Sequence, residues 1–287
     1  MLRTLLIGWL MSAACANALP PRSTTLEHAV PAAAAQPVAA ALSTGAPITV
    51  ATFNTYGMSV DELRRELETS PALRDADLIA LQEVERHADE LLSRACMAAA
   101  PLELHCVYAP GHRLRDGGDL GVALLSRTPI SEAEVVELPY ISTVVRSGRR
   151  ISMLATAQVG DLPVRVAVVH LDNRISPSQR RRQMQPVFDA LRDESRPTLI
   201  AGDFNTSPFD FIGHLIPVPT GRQQQALERQ VVDEGYDLAT RGSGPTSKWL
   251  SMRLDAIYTR GLTAVGVHVD RRSRGSDHLP LSATLTR

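Results

Sequence analysis

The sequence has few aromatic residues, a single lysine and no excess of charge of either sign. Only 4% of its 287 residues are aromatic, which argues against the base-stacking platform of single-strand binding proteins. Thirty basic residues against 31 acidic ones leave a net charge of -1, so bulk charge does not direct the chain to nucleic acid or membranes, although local basic patches remain possible. Lys248 is the only lysine, which we attribute mainly to compositional bias. With 44% apolar and 21% charged residues, the composition is that of a globular protein.

The sequence also has no apolar run of the ~20 residues that a membrane-spanning helix needs. Its first residues instead have the pattern of an export signal. Arg3 supplies the positive charge, Thr4 to Ala14 form a short apolar run, and Ala16 to Ala18 fit a cleavage site. We therefore expect residues 1–18 to be a signal peptide and the protein to be exported to the periplasm or the extracellular space.

Cysteine is scarce, with three residues in the chain. Cys15 lies in the leader, and an alternative is that it is the acylated cysteine of a lipoprotein, although Ser12 stands where such sites usually have leucine. Export would leave Cys96 and Cys106, an even pair that suits an oxidising compartment. A disulfide between them would contribute about 2–3 kcal/mol, and two separate buried thiols are the alternative.

The chain divides into a leader, a linker and one large domain. Residues 19–47 are rich in alanine and proline, which predicts a disordered linker. Residues 48–287 are numerous enough for one layered core. Since neither a repeat nor a coiled coil is visible, we expect a monomer with no obligate protein partner.

The hydrophobic pattern predicts many strands and a few helices, and hence an α/β layered fold. The predicted helices run from Ser59 to about Leu67, from His87 to about Ala99 and from Ser176 to about Arg192. The predicted strands are Ile48–Phe53, Asp77–Leu81, Leu120–Leu125, Val135–Leu138, Ile151–Gln158, Val164–Val169, Thr198–Ala201, Leu254–Tyr258, Thr263–Val269 and Leu281–Leu285.

Polar residues recur where these strands end or begin. They are Asn54, Glu83, His170, Asp203 with Asn205, Asp255, and Asp277 with His278. Any one of them alone is most often a turn residue or a cap. Together they predict a functional site at the edge of a sheet, where sites are commonly built.

These residues lie in motifs that resemble those of the endonuclease/exonuclease/phosphatase superfamily, which includes deoxyribonucleases, AP endonucleases, neutral sphingomyelinases and inositol polyphosphate 5-phosphatases. The motifs follow the order of the family and are Thr52–Asn54, Leu81–Glu83, Gly121–Ser126, Val169–Leu171, Gly202–Asn205, Leu254–Asp255 and Ser276–His278. The resemblance implies a four-layer α/β sandwich in which two packed mixed β-sheets are flanked by helices. It also implies a metal-dependent hydrolase of phosphate esters.

The oxygen-rich set of candidate ligands favours Mg²⁺ or Mn²⁺ over Zn²⁺. By resemblance, Glu83 would bind the metal with help from Asn54 and Asp277. The metal would polarise a phosphate oxygen and neutralise charge in the transition state.

The resemblance also implies roles in catalysis for five further residues. Asp203 would orient and deprotonate the attacking water, and Asn205 would fix the same region. His278, oriented by Asp255, would contact the phosphoryl oxygens, and His170 would be a second donor to the phosphate. AP endonucleases have tyrosine at the position of His170.

Three groups of arginines suggest contacts with phosphates. Arg271, Arg272 and Arg274 come just before the last motif and are candidates for binding a phosphate-rich substrate. We interpret Arg180–Arg182 as a solvated helix face, and Arg146, Arg149 and Arg150 as surface residues beside a turn.

The sequence therefore predicts a secreted Mg²⁺-dependent phosphodiesterase, with a nuclease as the first choice. A phospholipid or sphingomyelin phosphodiesterase is the alternative, for which Phe209–Ile212 and Leu215–Val218 are candidate membrane-entering loops, and a phosphomonoesterase comes third. A non-catalytic binding module would have lost a metal-binding or water-activating residue, and none is lost. The second active-site acid of the deoxyribonucleases has no counterpart that we can assign near Asp116–Asp119.

Overall fold

The computed structural model describes residues 24–31, 46–141, 148–173, 175–206, 220–249 and 251–287. The predicted signal peptide, Cys15 and the two candidate membrane-entering loops lie outside these residues, so those assignments stay predictions. Within the described residues, no helix is long and apolar enough to cross a membrane.

The described strands form two mixed sheets. In spatial order, the seven-stranded sheet contains β1 (Glu27–Ala29), β4 (His105–Arg113), β5 (Asp119–Ser126), β3 (Leu78–Arg86), β2 (Ile48–Asn54), β13 (Leu281–Thr286) and β12 (Thr263–Val269). The six-stranded sheet contains β10 (Asp237–Leu238), β11 (Asp255–Arg260), β9 (Thr198–Asp203), β8 (Leu162–His170), β7 (Ile151–Val159) and β6 (Ile130–Glu137). The pairs β2–β3 and β8–β9 are parallel.

Three hydrophobic clusters hold four layers together. In the central cluster, Val50 and Leu124 of the seven-stranded sheet lie with Val166 and Leu199 of the six-stranded sheet, so the two sheets pack face to face. The outer face of the seven-stranded sheet packs against α1 (Val60–Thr69), α2 (Pro71–Arg74) and α3 (Arg94–Ala99). The outer face of the six-stranded sheet packs against α4 (Pro177–Ala190) and α5 (Thr220–Asp233). The predicted four-layer α/β sandwich is confirmed.

Two of the three predicted helices begin where their capping residues lie. The Ser59 side chain accepts from the backbone N–H of Glu62, and the Glu62 side chain accepts from that of Ser59. Ser176 and Gln179 form the same reciprocal pair at the start of α4. Because these caps satisfy the free N–H groups of a first turn, they fix both helix starts.

The helix predicted from His87 to Ala99 is wrong in its first half. Strand β3 continues to Arg86, which pairs with Asp119 of β5, and α3 begins only at Arg94, after the cap residue Ser93. Between β3 and α3 the chain forms turns, in which the side chain of Glu90 accepts from the backbone N–H of His87, and the helix starts only at the Ser93 cap.

The predicted linker is not disordered throughout, because β1 lies within it and pairs with β4. The carboxylate of Glu27 is buried and accepts hydrogen bonds from the backbone N–H and the hydroxyl of Ser93. This side chain anchors β1 to the start of α3, although the alanine- and proline-rich composition around it predicts disorder.

Cys96 of α3 and Cys106 of β4 are joined by a disulfide, with a Cα–Cα distance of 5.4 Å. Both cysteines are buried in the cluster between the helices and the seven-stranded sheet. The bridge therefore ties the helix layer to the sheet.

The interpretation of Arg180–Arg182 as a solvated face is wrong for Arg180, which is fully buried. Its guanidinium donates to Gln223 of α5 and to the backbone oxygen of Ile175. Arg180 thus links α4 to α5, while Arg181 and Arg182 are exposed as expected.

Candidate active site

Strand pairing brings three site residues together at one edge of the six-stranded sheet. In the parallel pair β8–β9, His170 lies opposite Asp203, and in the antiparallel pair β9–β11, Asp203 lies opposite Asp255. In the other sheet, β2 ends on Asn54, and its amide reaches across to Asp203. The predicted site edge is therefore formed by both sheets.

Asp203 is at the centre of this arrangement and is fully buried. Its carboxylate accepts hydrogen bonds from the side-chain amides of Asn54 and Asn205, each at 3.0 Å, and from the backbone N–H of Asn205 at 2.8 Å. Burial raises the pKa of Asp203 to about 7, although the nearby His278 acts in the opposite direction. A carboxylate with a pKa near neutrality is suited to accept a proton from water.

Gly202 allows this position for Asp203, because β8 and β9 approach closely there. A Cβ atom on residue 202 would lie 1.9 Å from the backbone oxygen of Val169. Glycine is therefore the residue that fits before Asp203.

His278 lies between two buried carboxylates. Its Nδ1 is 2.8 Å from Oδ2 of Asp255, and its Nε2 is 3.7 Å from Oδ2 of Asp203. Burial alone would lower the pKa of His278, but the charges of Asp255 and Asp203 raise it well above its usual range. These charges favour the imidazolium form of the ring, and Asp255 orients it.

Ser276 connects His278 to the end of β2. Its hydroxyl donates to the backbone oxygen of Asn54 at 2.8 Å and accepts from the backbone N–H of His278 at 3.0 Å. The last motif is thus fixed against the end of β2.

His170 has a partner that the sequence interpretation missed. Nη1 of Arg150 lies 3.1 Å from Nδ1 and 3.3 Å from Nε2 of His170, so Arg150 is a site residue and not simple surface. Burial and the charge of Arg150 lower the pKa of His170 well below its usual range, which keeps the ring neutral. Arg150 directly precedes β7, and β7 pairs with β8, which carries His170. Its position next to the end of a strand was the feature of the sequence that could have marked it as a site residue.

Glu83 lies on a β-bulge and is more exposed than Asp203 and Asp255. The bulge falls between Leu81 and Val84, and Glu83 has a φ of 52°, a strained conformation of the kind that clusters at functional sites. Its Oε1 accepts from the amide of Asn54 at 3.2 Å and is 3.5 Å from Nε2 of His170. The side chain is 29% exposed.

Glu83 and Asp277 are suited to hold a metal ion together. Burial and the negative charge of Asp277 raise the pKa of Glu83, and a bound cation would relieve both effects. The two residues offer hard oxygen ligands on the accessible side of the site, which leaves room for the waters that Mg²⁺ retains.

A second set of possible ligands consists of Asp203, Asp255 and His278, whose ligand atoms lie within 4.8 Å of one another. All three are buried, and Nδ1 of His278 is already bonded to Asp255. Glu83 and Asp277, with Asn54 beside them, therefore stay the candidate metal ligands that the sequence predicts.

The three arginines before the last motif lie on an exposed segment at the same edge. The backbone N–H of Arg274 donates to Glu66 of α1 at 3.1 Å, and Arg272 is 3.6 Å from Asp270.

The two aspartates of the segment Asp116–Asp119 have partners outside the residues described above. The side chain of Asp116 contacts His87, and that of Asp119 contacts Arg86.

The two packed sheets and the acidic, histidine-bearing site at their edge are features of metal-dependent phosphoesterases. The chain belongs to the endonuclease/exonuclease/phosphatase family, whose sequence profile matches residues 51–278. The predicted superfamily is thereby confirmed. Family members are metal-dependent hydrolases of phosphate esters, and the chain is such an enzyme. No curated protein matches the sequence.

Solved structures agree in fold. An endonuclease/exonuclease/phosphatase from Beutenbergia cavernae has a TM-score of 0.64 and 19% identity, covering 84% of this chain and 71% of that one. A 3'-5' exonuclease from Neisseria meningitidis has a TM-score of 0.54 and 20% identity, covering 82% of this chain and 98% of that one. A 3' phosphatase from Neisseria, bound to a product DNA hairpin, has a TM-score of 0.56 and 20% identity, with coverage of 82% and 98%. At these identities the likeness shows the fold alone.

Proposed function

We propose that the chain is a Mg²⁺-dependent phosphodiesterase that hydrolyses nucleic acid. The observation that carries the proposal is the buried series Asp203, His278 and Asp255 next to the open carboxylates of Glu83 and Asp277. In this arrangement Asp203 is the proposed base, His278 the cation, and Glu83 with Asp277 the metal position, all at the same edge of the two sheets.

In the proposed mechanism, Asp203 accepts a proton from the attacking water, which the amide of Asn205 helps to hold in place. The imidazolium of His278 donates to a phosphoryl oxygen as negative charge develops there, and Asp255 keeps its ring oriented. Neutral His170 is a second hydrogen-bonding group for the phosphate, and the Arg150 guanidinium adds positive charge beside it. Glu83, Asp277 and Asn54 would hold Mg²⁺, which supplies Lewis-acid stabilisation of the phosphate.

Two observations support nucleic acid as the substrate. Arg271, Arg272 and Arg274 are exposed at the edge that carries the site, where they can contact phosphates that flank the scissile bond. One structure of the same fold holds a DNA hairpin product.

Nicking of supercoiled plasmid DNA by the purified protein with Mg²⁺ tests the proposal. We expect nicked and then linear DNA, and we expect both EDTA and Asp203→Asn to abolish it, because the substitution removes the base while keeping its shape. Circular dichroism of Asp203→Asn controls for folding. Intact plasmid together with uncleaved single-stranded oligothymidylate would refute the nuclease and favour a lipid or a small phosphate ester. Equal turnover by Asp203→Asn would refute the mechanism.

A further inference from the structure

Among the described residues, the exposed aromatic side chains lie at one edge of the molecule. Nine aromatic residues lie in the described part of the chain, and six of them are buried. The other three are Tyr56, Tyr140 and Trp249, which are 46%, 56% and 62% exposed. Tyr56 follows β2, Tyr140 follows β6, and Trp249 lies in the segment before β11, so all three are on loops of the active-site edge.

The residues next to two of these rings are hydrogen-bonded, through their backbones, to the proposed metal ligands. The backbone N–H of Lys248, next to Trp249, donates to the backbone oxygen of Asp277 at 2.9 Å. The backbone N–H of Gly57, next to Tyr56, donates to the backbone oxygen of Glu83 at 3.2 Å.

Tyr56 is also held in an unusual conformation. Its φ is 51°, and its N–H donates to Oδ1 of Asn54 at 3.0 Å. A bulky residue with positive φ is strained, and such strain is found where a structure holds a side chain for a function.

Positive charges lie beside Trp249. The pKa of Lys248 is lowered by burial and by the charge of Arg274, while Glu66 and Asp277 act in the opposite direction, so these groups are neighbours. Glu66 also accepts from the backbone N–H of Arg274. The exposed ring therefore lies beside Lys248, and the backbone of the nearby Arg274 is fixed to α1.

Exposed flat rings interleaved with cations, next to a phosphoesterase site, match one kind of substrate. In a nucleic acid strand, rings alternate with phosphates, but the bases offer their faces only when they are not stacked in a duplex. A membrane-entering surface would instead present a contiguous apolar patch.

We propose that Trp249 and Tyr56 form a stacking site for unpaired nucleotides, with Lys248 and Arg274 binding the adjoining phosphates. The enzyme then prefers single strands or frayed ends to intact duplex. This inference rests on the proposed nuclease function and adds its substrate form. The low aromatic content of the sequence argued against a stacking platform, but the three exposed rings in the described part of the chain lie at the edge that carries the site.

The two tryptophans of the sequence give a direct test that does not depend on turnover. They are Trp9 and Trp249, so Trp9→Phe leaves Trp249 as the only fluorophore of its kind. Combined with Asp203→Asn to suppress cleavage, this variant is titrated with oligothymidylate, with the same strand paired in a duplex, and with vesicles of sphingomyelin and phosphatidylglycerol. We expect saturable quenching by oligothymidylate and about tenfold weaker binding of the duplex.

A second arm uses the active enzyme. Trp249→Ala is expected to lower kcat/KM on oligothymidylate about tenfold, because stacking on the aromatic ring is lost, and to lower kcat/KM on duplex DNA by a smaller factor. Trp249→Phe is expected to retain most of the activity. Val265→Ala is the matched surface control, since Val265 is 61% exposed and lies on β12.

The outcomes separate this inference from the proposed function. Plasmid nicking without quenching by oligothymidylate would overturn the stacking site and leave the nuclease standing. Quenching without cleavage of any nucleic acid would support the stacking site and refute the nuclease. A blue shift with vesicles, without a response to oligothymidylate, would overturn the stacking site in favour of a lipid surface.

Discussion

The active site has a buried part and an open part, and they differ in how their acidic groups are held. In the buried part, Asp203 and Asp255 have side chains that are 1% exposed, and they contact asparagine amides or a histidine ring. In the open part, Glu83 is 29% exposed and is next to another carboxylate, that of Asp277. Groups that move protons or stabilise charge gain from a dry, fixed environment, whereas metal ligands must leave room for water and substrate.

Breaking the buried part should have the largest effect. Asp255→Asn removes the charge that holds His278 as an oriented imidazolium, and we expect kcat to fall about 10²–10⁴-fold, the range for a positioned acid–base group. Steady-state cleavage at saturating Mg²⁺ measures this loss. Asp237→Asn is the control because Asp237 is exposed on β10. Wild-type kcat in Asp255→Asn would show that the pair does not assist catalysis.

Changing the open part should alter the metal requirement more than the chemical step. Glu83→Gln keeps an oxygen ligand but loses the charge, so the Mg²⁺ concentration for half-maximal activity should rise at least about tenfold. A metal titration of the cleavage rate measures this shift, with Glu68→Gln on the exposed face of α1 as the control. A fall in kcat with an unchanged metal titration would place Glu83 outside the metal site.

The last prediction concerns stability and not activity, at a histidine close to His170 of the buried part. Burial and then the charge of Arg150 lower the pKa of His112 to about 4, against 6.5 when unperturbed. Between these values the unfolded chain binds a proton that the folded chain does not. Folding stability therefore falls as the pH drops from about 6.5 to about 4, by up to about 3 kcal/mol.

His112→Gln should remove this acid sensitivity. Urea unfolding of the variant at several pH values between 7.5 and 4 should show a shallower loss of stability than in the wild type. His268→Gln, at an exposed position on β12, should keep the wild-type slope. An unchanged slope in His112→Gln would show that the buried ring is not the sensor.

The strands and most site residues were predictable because their signals are local. Short apolar runs that end on Asn54, His170 and Asp203 mark both the strands and the edge where they meet. Arg150 was missed because its role depends on β7 and β8 being neighbours, and this pairing is not visible in the residues around it. Arg180 was misjudged for a similar reason, since its burial depends on α5 packing against α4. The sequence therefore identified site residues that lie at the ends of apolar strands. It missed the roles of Arg150 and Arg180, which depend on elements that are neighbours only in the folded structure.

The position of β13 has a consequence for when the enzyme becomes active. This strand lies between β2 and β12 in the seven-stranded sheet, and Leu281 pairs with Thr52. Asp277 and His278 reach the site only when this long-range pairing forms, and contacts so distant along the chain form slowly. Hydrolytic activity therefore requires that the last strand of the chain has paired with β2, more than 200 residues earlier.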